Sequence, residues 1–262
     1  MHGFLNLGNT CYFNSAIQVL LHTYPLTKLI HEVNYTGTCK FSKLYKELIH
    51  TYFDTKQSST FNIKELLISF ISEYPRFRIL EPHDTQDALF CIIDILEKEF
   101  PQIKEILYGE KTQITISPVG KNTLHIPFSI QTLSSNENKC KISDLIMDST
   151  KWHTLEDYVD DDGNRHNVAT TRTIFKSLPR VMIVSFDKKS RVVLEDTLTF
   201  NDTHVYELQS CIVHQGVQWG GHYYSMCKYD KKWFVQDDER VYEMSLKNID
   251  GYYVLIYILK HT

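Results

Sequence analysis

No two cysteines in this 262-residue chain lie close enough to form a CxxC pair. The six present, Cys11, Cys39, Cys91, Cys140, Cys211 and Cys227, are scattered, and the chain is far larger than a disulfide-stapled mini-domain. That usage fits a reducing, intracellular compartment, cytoplasm and/or nucleus. A basic excess is also missing: 28 Lys and Arg against 32 Asp and Glu give a formal net charge of -4, so nucleic acid is not expected as a partner. No cationic segment followed by an apolar one opens the chain, and no apolar run approaches the ~20 residues that span a bilayer. The protein is therefore expected to be soluble, unprocessed and free of membrane, and is taken as a monomer. Internal repeats and low-complexity tracts are absent too.

What the chain does have is a hydrophobic content of 42%, enough for a full core in one large domain or in two lobes sharing an interface. Its first hundred residues carry a helical period. Phe41, Leu44, Tyr45, Leu48, Ile49, Tyr52 and Phe53 fall on one helix face, which the polar stretch 56–60 ends. A second face comprises Ile63, Leu66, Leu67, Phe70, Ile71 and Tyr74, with Asn62 placed to cap it and Pro75 to stop it. A third runs from Asp84 to Phe100 before Pro101. From about Thr112 the pattern changes to short β-rich stretches at 112–117, 123–129, 181–186, 205–213, 222–229 and 253–259. Helices followed by strands predict an α+β protein, a helical lobe over residues 1–105 packed on a mostly antiparallel sheet over 106–262. Residues 134–139 read as an exposed loop and 156–162 as an acidic one.

Cys11 follows Gly8-Asn9-Thr10 and opens a run that reads as a helix begun by a glycine-containing turn and stopped near Pro25. In the first turn, unpaired N–H groups and the positive end of the helix dipole favour a thiolate. A lone cysteine is otherwise a buried filler, and the turn, cap and helix are what single this one out. Asn6, five residues upstream, can donate its amide to an oxyanion or can simply bond its own turn. A cysteine nucleophile needs a histidine base. Among twelve histidines, His222 follows Gly220-Gly221 and opens a strand, a rigid mount beside residues that permit close approach. The next strand begins eleven residues later and carries Asp237, which can hold the imidazole, with Asp238 as a second polar candidate. Read alone, 237–240 is equally a polar turn. His214 is a competing base without a carboxylate following it.

Taken together, these segments resemble the ubiquitin-specific protease family. The run Gly3-Phe4-Leu5-Asn6-Leu7-Gly8-Asn9-Thr10-Cys11-Tyr12-Phe13-Asn14-Ser15 looks like that family's cysteine box, with Phe13 where methionine is usual. Residues 206–238, with Gly220-Gly221-His222-Tyr223 and Trp233 before Asp237-Asp238, look like its histidine box, and Tyr257 fits its closing strand. His83-Asp84-Thr85-Gln86-Asp87 resembles its glutamine-aspartate box; the distance to Ile92-Ile93 favours Asp84 over Asp87.

The resemblance implies a papain-like fold of thumb, palm and fingers in one catalytic domain, 1–262. It implies a thiol protease that cuts after the terminal glycine of ubiquitin, with Cys11 as nucleophile, His222 as base, Asp237 as orienter and Asn6 as oxyanion donor. Asp84 is implied to pair with a tail arginine, while Gly220, Gly221, Tyr223 and Trp219 would line the slot for the diglycine end. The alternatives are a protease for another ubiquitin-like modifier and an inactive ubiquitin-binding module. Two departures stand out. Where many members carry finger cysteines that bind zinc, positions 160–163 read Asp-Asp-Asp-Gly, so no metal and no cofactor is expected. The segment 111–168 is also short, so reduced fingers are expected. The box opens so near the amino terminus that no upstream accessory domain is expected.

Overall fold

The computed structural model describes residues 1–134, 138–187, 190–200, 203–217, 220–246 and 249–260. A short strand β1 (Gly3–Phe4) precedes helices α1 (Cys11–Leu21), α2 (Tyr24–Glu32) and α3 (Lys40–Asp54); β2 (Thr60–Phe61), which pairs with β1 in parallel, precedes α4 (Lys64–Glu73) and α5 (Thr85–Glu99). A single turn at Pro101–Ile103 leads into α6 (Lys104–Leu107). Strands then dominate: β3 (Gly109–Ser117), β4 (Gly120–Phe128), β5 (Ile130–Leu133) and β6 (Asn138–Lys141) precede the one later helix among the described residues, α7 (Ile142–Ser149). After it come β7 (His153–Val159), β8 (Arg165–Ser177), β9 (Val181–Phe186), β10 (Arg191–Val193), β11 (Thr197–Phe200) and β12 (His204–Val217). The chain closes with β13 (Gly220–Tyr229), β14 (Lys232–Asp237), β15 (Arg240–Glu243) and β16 (Tyr252–Leu259).

An eight-stranded sheet in the order β15-β14-β13-β12-β16-β9-β5, with β11 added on β12, forms the centre. All its pairings are antiparallel except β5 with β9. Both faces are buried, and the period of two in its strands shows how. Ile183, Val254 and Ile256 join the core shared with the helices, whereas Met182, Val184, Leu255 and Tyr257 join a second core under α7. α1 lies between β13 and α5, and all its residues are buried. The nucleophile candidate is therefore on the most enclosed helix of the molecule. A second, four-stranded antiparallel sheet runs β4-β3-β8-β7.

Several sequence readings need correction. Pro25 does not stop the first helix; it sits in the first turn of α2, where a missing N–H costs nothing because that group would be unpaired anyway. Neither α2 nor α7 was foreseen, each being short with few apolar positions, Leu26 and Ile30 in one and Ile142, Leu145 and Ile146 in the other. The acidic loop begins later than expected, since 156–159 is the end of strand β7 and only Asp160 to Gly163 turns. Charged side chains there decorate an edge strand, a common guard against unwanted pairing. Of the expected loop 134–139, Asn138 and Lys139 belong to β6, paired with β10, while 135–137 lie outside the described residues. Asn62 accepts from the Lys64 N–H at 3.0 Å, but it stands one residue before the N-cap position, which Ile63 takes.

Candidate active site

Cys11 is the first residue of α1 and is 8% exposed. The preceding turn is held by its own side chains: Thr10 Oγ1 accepts from the Leu7 N–H at 3.0 Å, and Asn6 Oδ1 accepts from the Gly8 N–H at 2.9 Å. Gly8 and Asn9 both take the left-handed backbone, with φ of 97° and 54°, which is why the turn is written with these residues.

His222 opens the inner part of β13, and the Cys11 side chain acts on its ring. Its Nε2 meets Asp237 Oδ1 at 2.5 Å, leaving Nδ1 as the nitrogen for Cys11. The Cys11 side chain, followed by the bond to Asp237, raises His222 to about 9, against the opposing effect of burial. At neutral pH the ring holds its proton, the form that pairs with a thiolate and can hand a proton to a leaving amine. His214 is placed elsewhere: it faces Tyr223 across the β12–β13 ladder, ring centroids 4.7 Å apart.

The bonds that Asn6 makes are those of its turn-holding reading. Its Oδ1 serves the local turn, while its Nδ2 donates to Asp238 Oδ2 at 2.6 Å. An amide nitrogen carries two hydrogens, and the bond to Asp238 uses one of them. Asp238 Oδ1 in turn accepts from Asn14 Nδ2 at 2.7 Å. Burial pushes the Asp238 carboxyl up, while the two amide donors pull it down. Asp237 and Asp238 are thus neighbours with separate partners, one the His222 ring and the other the amides. His222, Asp237 and Asp238 also offer ligand atoms within 4.8 Å of one another, and the hydrogen bonds above occupy them.

Asp84 caps α5 through the Gln86 N–H at 2.8 Å and accepts from Tyr253 Oη at 2.9 Å and Tyr223 Oη at 3.3 Å. Asp87 is exposed in the first turn of α5. Burial, followed by the Asp84 charge, pushes both tyrosine hydroxyls well up, so they remain donors. A Cβ on Gly221 would lie 2.4 Å from the His214 ring, so this glycine admits that ring; one on Gly220 would meet open space. Trp219 lies outside the described residues. Sequence reading did not identify Asn14, Tyr253 or Glu239. A buried asparagine on α1 is itself a signal, because buried amides have partners.

At the far end of the four-stranded sheet, Asp160 Oδ1 accepts from the N–H groups of Asp162 and Asn164 at 3.1 and 2.8 Å, and its Oδ2 meets His166 Nε2 at 2.8 Å. Asn122 Nδ2 on β4 donates to Asp161 Oδ2 at 2.9 Å, linking the two hairpins. Among the described residues no thiolate lies in either hairpin turn, and the donor set does not fit a four-cysteine zinc site.

Comparison with known proteins places these observations. The model of the ubiquitin carboxyl-terminal hydrolase family matches residues 2–257. Ubiquitin carboxyl-terminal hydrolase 15 of Schizosaccharomyces pombe is 24% identical over 94% of this chain and 25% of its own length. Ubiquitin carboxyl-terminal hydrolase 1 of Arabidopsis thaliana is 31% identical over 41% of this chain and 10% of its own. The chain thus spans about a quarter, or less, of the length of these relatives. A chain of the SAGA Ubp8/Sgf11/Sus1/Sgf73 DUB module bound to ubiquitin aldehyde superposes with a TM-score of 0.81 at 18% identity, over 100% of this chain and 70% of that one. The fold is the expected α+β, papain-like one.

Proposed function

This chain belongs to the ubiquitin carboxyl-terminal hydrolase family, and from that premise we propose that it is a thiol-dependent deubiquitinase whose nucleophile, base, orienter and oxyanion donor are Cys11, His222, Asp237 and Asn6. The observation that carries the reading is the His222–Asp237 pair, whose ring responds to Cys11, with the Asn6 amide bonded to Asp238 of the same hairpin turn.

The Cys11 thiolate attacks the carbonyl carbon of ubiquitin's terminal glycine, and the C=O electron pair becomes an oxyanion held by Asn6 Nδ2 and backbone N–H near Cys11. When the oxyanion collapses, the C–N bond breaks and protonated His222 gives its proton to the departing lysine amine. Water, deprotonated by His222, then attacks the thioester and releases the carboxylate and Cys11. Asp84, with its tyrosine-held carboxylate, would pair with an arginine of the tail, and Gly220, Gly221, Tyr223 and Trp219 would flank the diglycine end. Residues 1–105 would form the thumb, and 106–262 the palm and fingers. We place this activity inside the cell, in cytoplasm and/or nucleus, and in a monomer.

Incubation with ubiquitin bearing a carboxy-terminal electrophile, in parallel with probes built on other ubiquitin-like modifiers, tests the proposal. The expected result is a covalent adduct with the ubiquitin probe that mass spectrometry maps to Cys11 and that Cys11→Ala abolishes. Labelling only by another modifier's probe overturns the substrate, and no labelling by any probe leaves an inactive binding module.

A further inference from the structure

We propose that Glu239 is a positioning residue for the oxyanion donor, holding the Asn6 loop on the same hairpin turn that carries Asp237. This inference rests on the proposed hydrolase reading and deepens it.

Glu239 Oε1 accepts from the Asn6 backbone N–H at 2.8 Å. Two residues before Asn6, the Phe4 N–H donates to the Asp238 carbonyl at 2.8 Å. Gly3 lies so close to the turn that a Cβ there would come within 2.6 Å of the carbonyl oxygens of Asp238 and Glu239. The stretch 3–6 is therefore laid directly along the two-residue turn between β14 and β15. Asp238 takes the left-handed backbone, φ 50°, a conformation that aspartate tolerates better than most residues. Three consecutive acids thus divide the work. Asp237 takes the His222 ring, Asp238 the side-chain amides of Asn6 and Asn14, and Glu239 the backbone of Asn6.

The need for the third contact follows from precision. Oxyanion donors act only when held to within about 0.5 Å, and a displacement of about 1 Å can cost on the order of 100-fold in rate. The Asn6 amide has its oxygen fixed by the local turn and its nitrogen by Asp238, and its own backbone is tied by Glu239. The Glu239 carboxylate fixes the turn to the strand end that also fixes His222, so the donor and base keep their separation. Glu239 is exposed and touches none of the reacting atoms, and neither Asn6→Ala nor Asp238 variants would reveal it.

Three proteins decide the matter, namely wild type, Glu239→Ala and Glu239→Gln, each with two readouts. The first is kcat and KM for hydrolysis of a ubiquitin carboxy-terminal amide. The second is the rate at which iodoacetamide alkylates Cys11, a displacement at saturated carbon that builds no oxyanion. The expected result is that Glu239→Ala loses about 10-fold in kcat with KM within about twofold, while alkylation is unchanged. Glu239→Gln, whose amide oxygen accepts the same N–H, keeps at least about half of the wild-type kcat. Wild-type kcat in Glu239→Ala overturns the inference, as does a loss in Glu239→Gln equal to that in Glu239→Ala, or alkylation slowed in step with hydrolysis. If wild-type protein is alkylated at Cys11 but hydrolyses nothing, the hydrolase reading falls and this inference with it.

Discussion

Two hairpin turns in this molecule each begin with a run of three acids and make different contacts. The turn closing β7 and β8 begins Asp160-Asp161-Asp162, and the one closing β14 and β15 begins Asp237-Asp238-Glu239. Each sets a carboxylate on a histidine Nε2, at 2.8 Å for Asp160 with His166 and 2.5 Å for Asp237 with His222. At the fingertip, His166 is 9% exposed, its ring stacked with Tyr158, and Asp160 is filled with N–H donors. In the palm, the His222 side chain is 41% exposed and its remaining nitrogen faces a thiol. An acid–histidine pair in a hairpin is thus a fastener by default. It becomes chemistry when the second ring nitrogen meets a nucleophile where substrate can arrive.

The sharpest way to break that comparison is at the palm acid. Asp237→Ala should lower kcat by on the order of 10³, because the imidazole loses both its orientation and its stabilised charge. A stability measurement carries the pH sign. His222 is raised from 6.5 to about 9, so its contribution is complete below about 6.5 and disappears as pH rises through about 9. Asp237 supplies part of that shift. The difference in denaturation midpoint between wild type and Asp237→Ala should therefore be largest at pH 6 and shrink toward pH 9. A difference that grows with pH would mean that the ring is neutral in the folded protein.

Next in size is Asn6→Ala, which should lower turnover by about 10²–10³ while leaving folding and ubiquitin binding in place. Unchanged turnover would remove Asn6 from the mechanism and leave its amide a turn fastener like those at the fingertip.

The sequence revealed these two turns unequally. Cys11 and His222 were legible because their local settings, a glycine turn ahead of a helix and two glycines ahead of a strand, are contiguous in the chain. The competing bases could be ranked only by whether a carboxylate followed at hairpin distance, which singled out His222 over His214. What linked distant segments was invisible. Asn6 bonds Asp238 across 232 residues and Glu239 across 233, and Tyr253 reaches Asp84 across 169. No periodicity records such distances; tertiary packing creates them. The fold was read well where periodicity ran long, in α3, α5 and the palm strands. It was missed where elements were short, as in α2 and α7, or where charge on an edge strand looked like a loop, as in β7.

The smallest expected effect tests the other half of the comparison. If the Asp160 turn only fastens, Asp160→Ala should lower Tm by about 2–4 °C and leave kcat for a small ubiquitin amide within about twofold of wild type. The His166 side chain, followed by the Asn164 backbone N–H, holds Asp160 down to about 2, from 3.8. A depressed carboxylate contributes stability above its unfolded value and loses it as pH falls through the folded one. The Tm gap between wild type and variant should therefore be constant from neutral pH to about 4 and close below that. A zinc chelator should move neither Tm, since the Asp160 carboxylate is held by hydrogen bonds from Asp162, Asn164 and His166. Should Asp160→Ala instead depress kcat as Asp237→Ala does, the fingertip would be coupled to the site, and the distinction between fastener and catalyst would have to be drawn elsewhere.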